Sequence, residues 1–181
     1  KNNLIKIIYC PPSTLIRPMS KKLKNSPINV GAQNCHENEN HGPFTGSVNA
    51  KMLKNVGAKF VIIGHSENRQ RGESNRLINI KIKSALKAGL KVIFCIGETS
   101  VEKRKKATKQ ILYKQIKLGL DKIKKKNKII IAYEPVWSIG TGIIPKSKDL
   151  FDTINYIKKK FRNFKVVYGG SVNTKNINEL K

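Results

Sequence analysis

A chain of 181 residues, 39% of them hydrophobic, is long enough for one domain with its own core, and length favours a single domain. The formal charge of +26 invites a nucleic-acid or anionic-lipid surface, but 31 of the basic residues are Lys and only 6 are Arg. They are scattered, without the arginine forks and interleaved aromatics that nucleic-acid readers use, so drift in an A/T-rich coding sequence is the preferred explanation.

In chain order, residues 5–9, 28–30, 60–63, 91–94, 129–131 and 165–167 are short apolar runs that read as strands. Several are apolar without alternation, as parallel strands buried on both faces require. Amphipathic stretches lie between them. A short helix follows Asn49 and stops at Gly57. Ile78, Ile82, Ala85 and Leu86 share a helical face before Gly89. Leu112, Ile116, Leu120 and Ile123 form a second face, and Leu150, Ile154, Ile157 and Phe161 a third, with Ser147 as its expected N-cap. Six strand–helix units result. Periodicity alone leaves a barrel and a doubly wound open sheet equally open.

No apolar run approaches the length of a membrane span, and no signal-peptide pattern opens the chain. Lys1 in place of Met, and Lys181 inside a helix-like pattern, read as cut ends. Cys10, Cys35 and Cys95 are odd in number and widely spaced, which suits neither a disulfide framework nor a zinc site. The expected setting is a reducing cytoplasm, with no metal, other cofactor, nucleic acid or membrane as partner.

In parallel α/β folds reactive groups gather just past the carboxyl ends of strands. Three such places are rich here: Gly64-His65-Ser66-Glu67, the run from Tyr133-Glu134-Pro135 to Gly140-Thr141-Gly142, and Tyr168-Gly169-Gly170-Ser171. With Gly31-Ala32-Gln33-Asn34, Phe44-Thr45-Gly46, Cys95-Ile96-Gly97-Glu98 and Tyr133-Glu134-Pro135-Val136-Trp137, they form an ordered series that resembles triosephosphate isomerase. The resemblance implies a parallel (β/α)8 TIM barrel, here incomplete, with residues 1–181 spanning about strands 2 to 7 of 8 in one partial domain.

It implies a reaction as well: interconversion of dihydroxyacetone phosphate and D-glyceraldehyde 3-phosphate by proton abstraction next to a carbonyl. Glu134 is then the base on carbon, and His65 polarises the carbonyl and moves protons between the two oxygens. This family is itself the standard worked example of a neutral imidazole at a helix N-terminus and of loop closure that excludes water. Ser66 and Glu67 are expected to support His65. Residues 135–144 are the expected cover, with the Gly140 and Ser171 amides on phosphate. The segment 34–47 resembles the loop that plugs into a partner subunit, making the complete protein a homodimer with Thr45 near the neighbour's site. Cys95 is expected to pack in the core.

Some positions depart from the family pattern. The Asn and Lys that end the first barrel strand and the Gly-Gly loop of the eighth have no counterpart, so turnover by the chain alone is expected to be poor. Asn68 stands where an arginine is usual, and the segment from Glu67 to Glu73 is one residue short, which leaves Glu73 without an evident partner. Two alternatives stand beside the enzyme: a basic nucleic-acid-binding module and an inactive barrel remnant. Low Arg content disfavours the first, and the presence of His65 with Glu134 disfavours the second.

Overall fold

The structure, a computed structural model, describes residues 5–180; the chain ends at Lys1 and Lys181 lie outside the described residues. Six strands, β1 (Ile8–Tyr9), β2 (Asn29–Ala32), β3 (Phe60–Ile63), β4 (Lys91–Ile96), β5 (Ile129–Tyr133) and β6 (Lys165–Tyr168), pair in parallel and in strict chain order. A doubly wound sheet reverses direction at a switch point, whereas a barrel wall adds each strand beside the last. The observed order is that of a barrel, and the sheet curls as a partial one.

The helices are α1 (Ile16–Lys22), α2 (Ala50–Asn55), α3 (Ser66–Gln70), α4 (Asn75–Lys87), α5 (Ser100–Arg104), α6 (Thr108–Gly119) and α7 (Ser147–Lys160). Their apolar faces meet the sheet as periodicity dictates. Ile78, Ile82 and Ala85 of α4, Leu112 and Ile116 of α6 and Leu150 and Ile157 of α7 are buried with Val61, Ile63, Val92, Phe94 and Ile131 of the central strands. Truncating any one of the fully buried Ile or Leu side chains to Ala costs about 2–5 kcal/mol, because the cavity left behind closes only in part. The edge strands are less covered, leaving Tyr9 and Val167 exposed.

Local chemistry sets the helix ends. Asn49 caps α2, its side chain accepting the Met52 N–H at 2.9 Å, and Gly57 follows the helix at φ 104°. Ser147, expected as a cap, is instead the first residue of α7. Lys146 takes the cap position without a side-chain bond, and the Ser147 hydroxyl donates to the Glu179 carbonyl at 2.9 Å. Helix α6 stops at Gly119, short of Leu120 and Ile123, because buried Asn79 of α4 donates to the Gly119 and Asp121 carbonyls at 2.9 and 3.0 Å. Those bonds satisfy carbonyls that a helix end leaves open.

Register levels the rim. Cys95 pairs with Ala132, Ile96 with Tyr133, and Tyr133 with Tyr168. The residues that follow β3, β5 and β6, namely His65, Glu134 and Gly169 to Ser171, therefore emerge together at one end of the sheet.

Candidate active site

His65 leaves β3 as the N-cap of α3, and its ring Nδ1 accepts the Glu67 N–H at 3.4 Å. A ring nitrogen that accepts carries no proton, so Nε2 holds the single N–H of a neutral imidazole. The Glu67 carboxylate, 71% exposed, lies 3.9 Å from Nδ1. A second ring proton would set Nδ1–H against the Glu67 N–H, donor against donor.

The Nε2 atom faces Glu134 Oε2 at 3.6 Å, too far for a hydrogen bond. Glu134 accepts the Cys95 thiol proton on Oε1 at 3.3 Å, whereas its Oε2 is buried with no hydrogen-bond partner among the described residues. Burial raises the Glu134 pKa above its ordinary value of 4.5; the nearby His65, the Cys95 hydrogen bond and the Arg69 charge offset only part of that. An unpartnered oxygen on a carboxylate of raised basicity is equipped to take a proton.

Two glycines make this position possible. A Cβ on Gly97 would overlap the Glu134 carbonyl, and one on Gly169 would sit 2.9 Å from Glu134 Cγ and 3.0 Å from Oε1. Gln115 fixes the first of these by exchanging two hydrogen bonds of 2.9 Å with the Gly97 backbone. Cys95, expected only to fill the core, is buried as expected but also acts on the carboxylate. Because a donor to the charged form lowers a carboxyl pKa, Cys95→Ala is expected to move the acid limb of kcat/KM to higher pH, and Cys95→Ser to leave it near wild type. An unmoved limb in the alanine variant would show that the thiol contributes nothing.

Support beneath the rim comes from charged side chains that are almost fully paired. Arg69 donates to the carbonyls of Gly64 at 2.7 Å and Cys95 at 3.1 Å and to Asn75 Oδ1 at 2.8 Å, joining β3, β4 and α4. Glu73 is held by buried Lys81, and Lys81 reaches on to Asn34 Oδ1 at 3.3 Å. Glu98, 1% exposed, receives the Tyr133 hydroxyl at 3.2 Å and the Trp137 indole N–H at 2.9 Å. Burial and the Glu98 charge together push the Tyr133 phenol well up, so it remains a donor.

The segment after Glu134 makes a 3-10 turn at Val136–Ser138 and then a loop through Gly140 and Gly142, both at positive φ. Ser171 ties it down: its hydroxyl donates to the Ser138 carbonyl at 2.5 Å and accepts the Gly142 N–H at 3.2 Å. Ser138 and Gly142, which flank Gly140, are thus tied to Ser171, and Gly169 of the Ser171 loop lies against Glu134. Ser66 is buried at the start of α3. Thr45 stands apart, exposed, and no hydrogen bond among the described residues links it to His65 or Glu134.

A buried carboxylate of raised basicity, an imidazole facing it and glycine-rich loops share one rim of a parallel barrel wall, an arrangement suited to proton transfer next to a carbonyl. The triosephosphate isomerase family model matches residues 1–181. Triosephosphate isomerase of Dictyoglomus thermophilum is 42% identical over 186 residues, covering 96% of this chain and 74% of that protein. The Aquifex aeolicus enzyme of that name is 39% identical over 184 residues, with the same coverage. Among solved structures, the triosephosphate isomerase of Bartonella henselae superposes with a TM-score of 0.89 at 35% identity, covering 98% of this chain and 75% of that one. This chain belongs to the triosephosphate isomerase family. It is an aldose–ketose isomerase of triose phosphates, and these relatives favour neither the nucleic-acid module nor the inactive remnant. Among the described residues, no helix is long and apolar enough to cross a membrane and no cluster of His, Cys, Asp or Glu could hold a metal ion.

Proposed function

We propose that Glu134 and His65 carry the isomerisation between them. Glu134 Oε2 takes the proton from the carbon next to the carbonyl and returns it to the neighbouring carbon. His65 Nε2–H polarises the carbonyl oxygen and passes a proton between the two oxygens of the enediolate. The observation that carries this reading is the buried, unpartnered Oε2 with His65 Nε2 facing it at 3.6 Å.

The Gly140 and Ser171 amides hold the phosphate, supported by the contact that the Ser171 hydroxyl makes with Ser138 and Gly142. Residues 135–144 close over the substrate, with the Trp137–Glu98 bond fixing the first hinge. Water leaves, and the carboxylate becomes more basic still. Phosphate binding of this kind is spent on positioning at the reacting carbon. D-Glyceraldehyde without its phosphate is therefore expected to react with kcat/KM lower by about 10³-fold or more in a coupled assay. Equal values for the two substrates would sink the assignment of the phosphate loop.

The protein acts as a homodimer in which Thr45 approaches the neighbouring site. The support is an exposed loop tip held in shape by turns at Gly42–Phe44 and Phe44–Ser47 and by the His36–Phe44 ring contact at 4.9 Å. Sedimentation velocity on a full-length protein that carries this chain is expected to give twice its single-chain mass. A fully active species of single-chain mass would exclude this role for Thr45.

A further inference from the structure

Trp137, the only tryptophan in the chain, opens the cover just after Glu134, and it is gripped from two sides. At its edge the indole N–H donates to the buried Glu98 carboxylate at 2.9 Å. Over its face lies the Lys103 ammonium, 3.3 Å from the ring centroid. The other lysine–aromatic contacts among the described residues lie at 5.5–5.7 Å. Lys103 has no part in the proton transfers themselves.

The start of α5 puts Lys103 there. Thr99 and Glu102 close a capping box, with Glu102 Oε2 accepting the Thr99 N–H at 2.7 Å and its hydroxyl at 2.9 Å. The Lys103 N–H donates back to the Thr99 carbonyl at 2.9 Å, so its side chain leaves a fixed turn. Glu98, the residue before that cap, accepts the Val136 N–H on its own carbonyl at 3.0 Å. The first hinge and the first turn of α5 are therefore anchored at adjacent residues.

In a chain so rich in lysine some ammonium groups must fall near rings, and a lysine stem often lies along apolar surface while its head seeks water. Here the head itself lies over the ring. Glu102, the nearest carboxylate in sequence, is committed to the cap, and among the described residues Lys103 takes part in no ion pair. The Glu98 charge at the N–H edge enriches the ring face that Lys103 covers. Lys103 in turn makes the indole N–H a stronger donor, so the two contacts reinforce each other.

We infer that Lys103 is a positioning residue for the isomerisation: its ammonium clamps the Trp137 ring against Glu98 and so sets the backbone that runs from Glu134 into the cover. This rests on the reading of residues 135–144 as a segment that closes over substrate. That segment is tied to Ser171 in the structure, and the clamp favours this arrangement over one in which the Trp137 ring swings free. Substrate then meets a hinge already in place, which lowers the cost of ordering it.

The test uses a full-length protein that carries this chain, labelled with 5-fluorotryptophan, its Trp137 signal assigned by loss in Trp137→Phe. Wild type is compared with Lys103→Met, which keeps the stem without the charge, and with Lys103→Arg, which keeps the charge. Lys105→Met removes an exposed charge two residues further on. The Trp137 fluorine resonance is expected to shift in ligand-free Lys103→Met but not in Lys105→Met. In Lys103→Met, kcat/KM for D-glyceraldehyde 3-phosphate is expected to fall about two- to fivefold, the range of a cation–π contact at a part-exposed site. Lys103→Arg and Lys105→Met keep the wild-type value. A lysine that only stabilised the fold would lower the thermal midpoint and move neither reading. An unmoved resonance or wild-type kcat/KM in Lys103→Met would overturn the inference, as would an equal loss in Lys105→Met or Lys103→Arg. Failure of the cover itself reads differently, as equal kcat/KM in the wild type for glyceraldehyde with and without its phosphate.

Discussion

In a full-length protein that carries this chain, Glu134→Gln is expected to lower kcat by about 10³–10⁴-fold while the protein stays folded, because a positioned general base contributes on that order and an amide cannot take the proton. The substitution keeps shape and volume, so packing against Gly169 and the Cys95 thiol is retained. It also has a stability signature that separates loss of chemistry from loss of fold. The folded-state pKa of Glu134 is raised above 4.5 by burial. Such a group is tolerated below its unfolded pKa, and stability is lost as pH rises through the folded value. Glu134→Gln removes that penalty. Its thermal midpoint is expected to exceed wild type at pH 8 and to match it near pH 4. A variant that is inactive because it is unfolded would show the opposite.

His65→Gln is expected to cost about 10²–10³-fold in kcat, less than loss of the base. A glutamine amide still donates a hydrogen bond toward the carbonyl, so polarisation survives in part. What it lacks is an imidazole ring, whose Nε2 can give a proton to one oxygen and take one from the other while Nδ1 accepts the Glu67 N–H. The loss should fall mainly on kcat, since the phosphate loop is untouched. A coupled assay that found KM raised and kcat unchanged would mean that His65 only binds substrate.

Strand positions and the main helix faces were legible in the sequence, because runs such as 60–63 and the Ile78–Ile82 spacing admit one burial pattern each. The choice of barrel over open sheet was not legible from periodicity, and only the ordered motifs made it. Ser147 was misplaced for a physical reason: serine suits both the cap and the first helical turn, and the Glu179 carbonyl that decided between them lies 32 residues away. Helix α5 was readable but went unread, although Thr99 and Glu102 form a capping box at the spacing that signals one. The residues that tune the site were beyond reach of local pattern. Cys95 meets Glu134 across 39 residues, Arg69 reaches Cys95 across 26, and Gln115 grips Gly97 across 18. Lys81 is one lysine among many, and nothing in its neighbours marks it as the partner of Glu73.

Solvent exchange at carbon tests the central assignment most directly. In deuterated water, dihydroxyacetone phosphate turned over by a full-length protein that carries this chain should acquire deuterium at the carbon next to the carbonyl, read by proton NMR. The account predicts that Glu134→Gln abolishes this incorporation and that His65→Gln slows it without abolishing it, since the base remains. Deuterium entering at the wild-type rate in Glu134→Gln would contradict the account, because some other group would then be removing the proton.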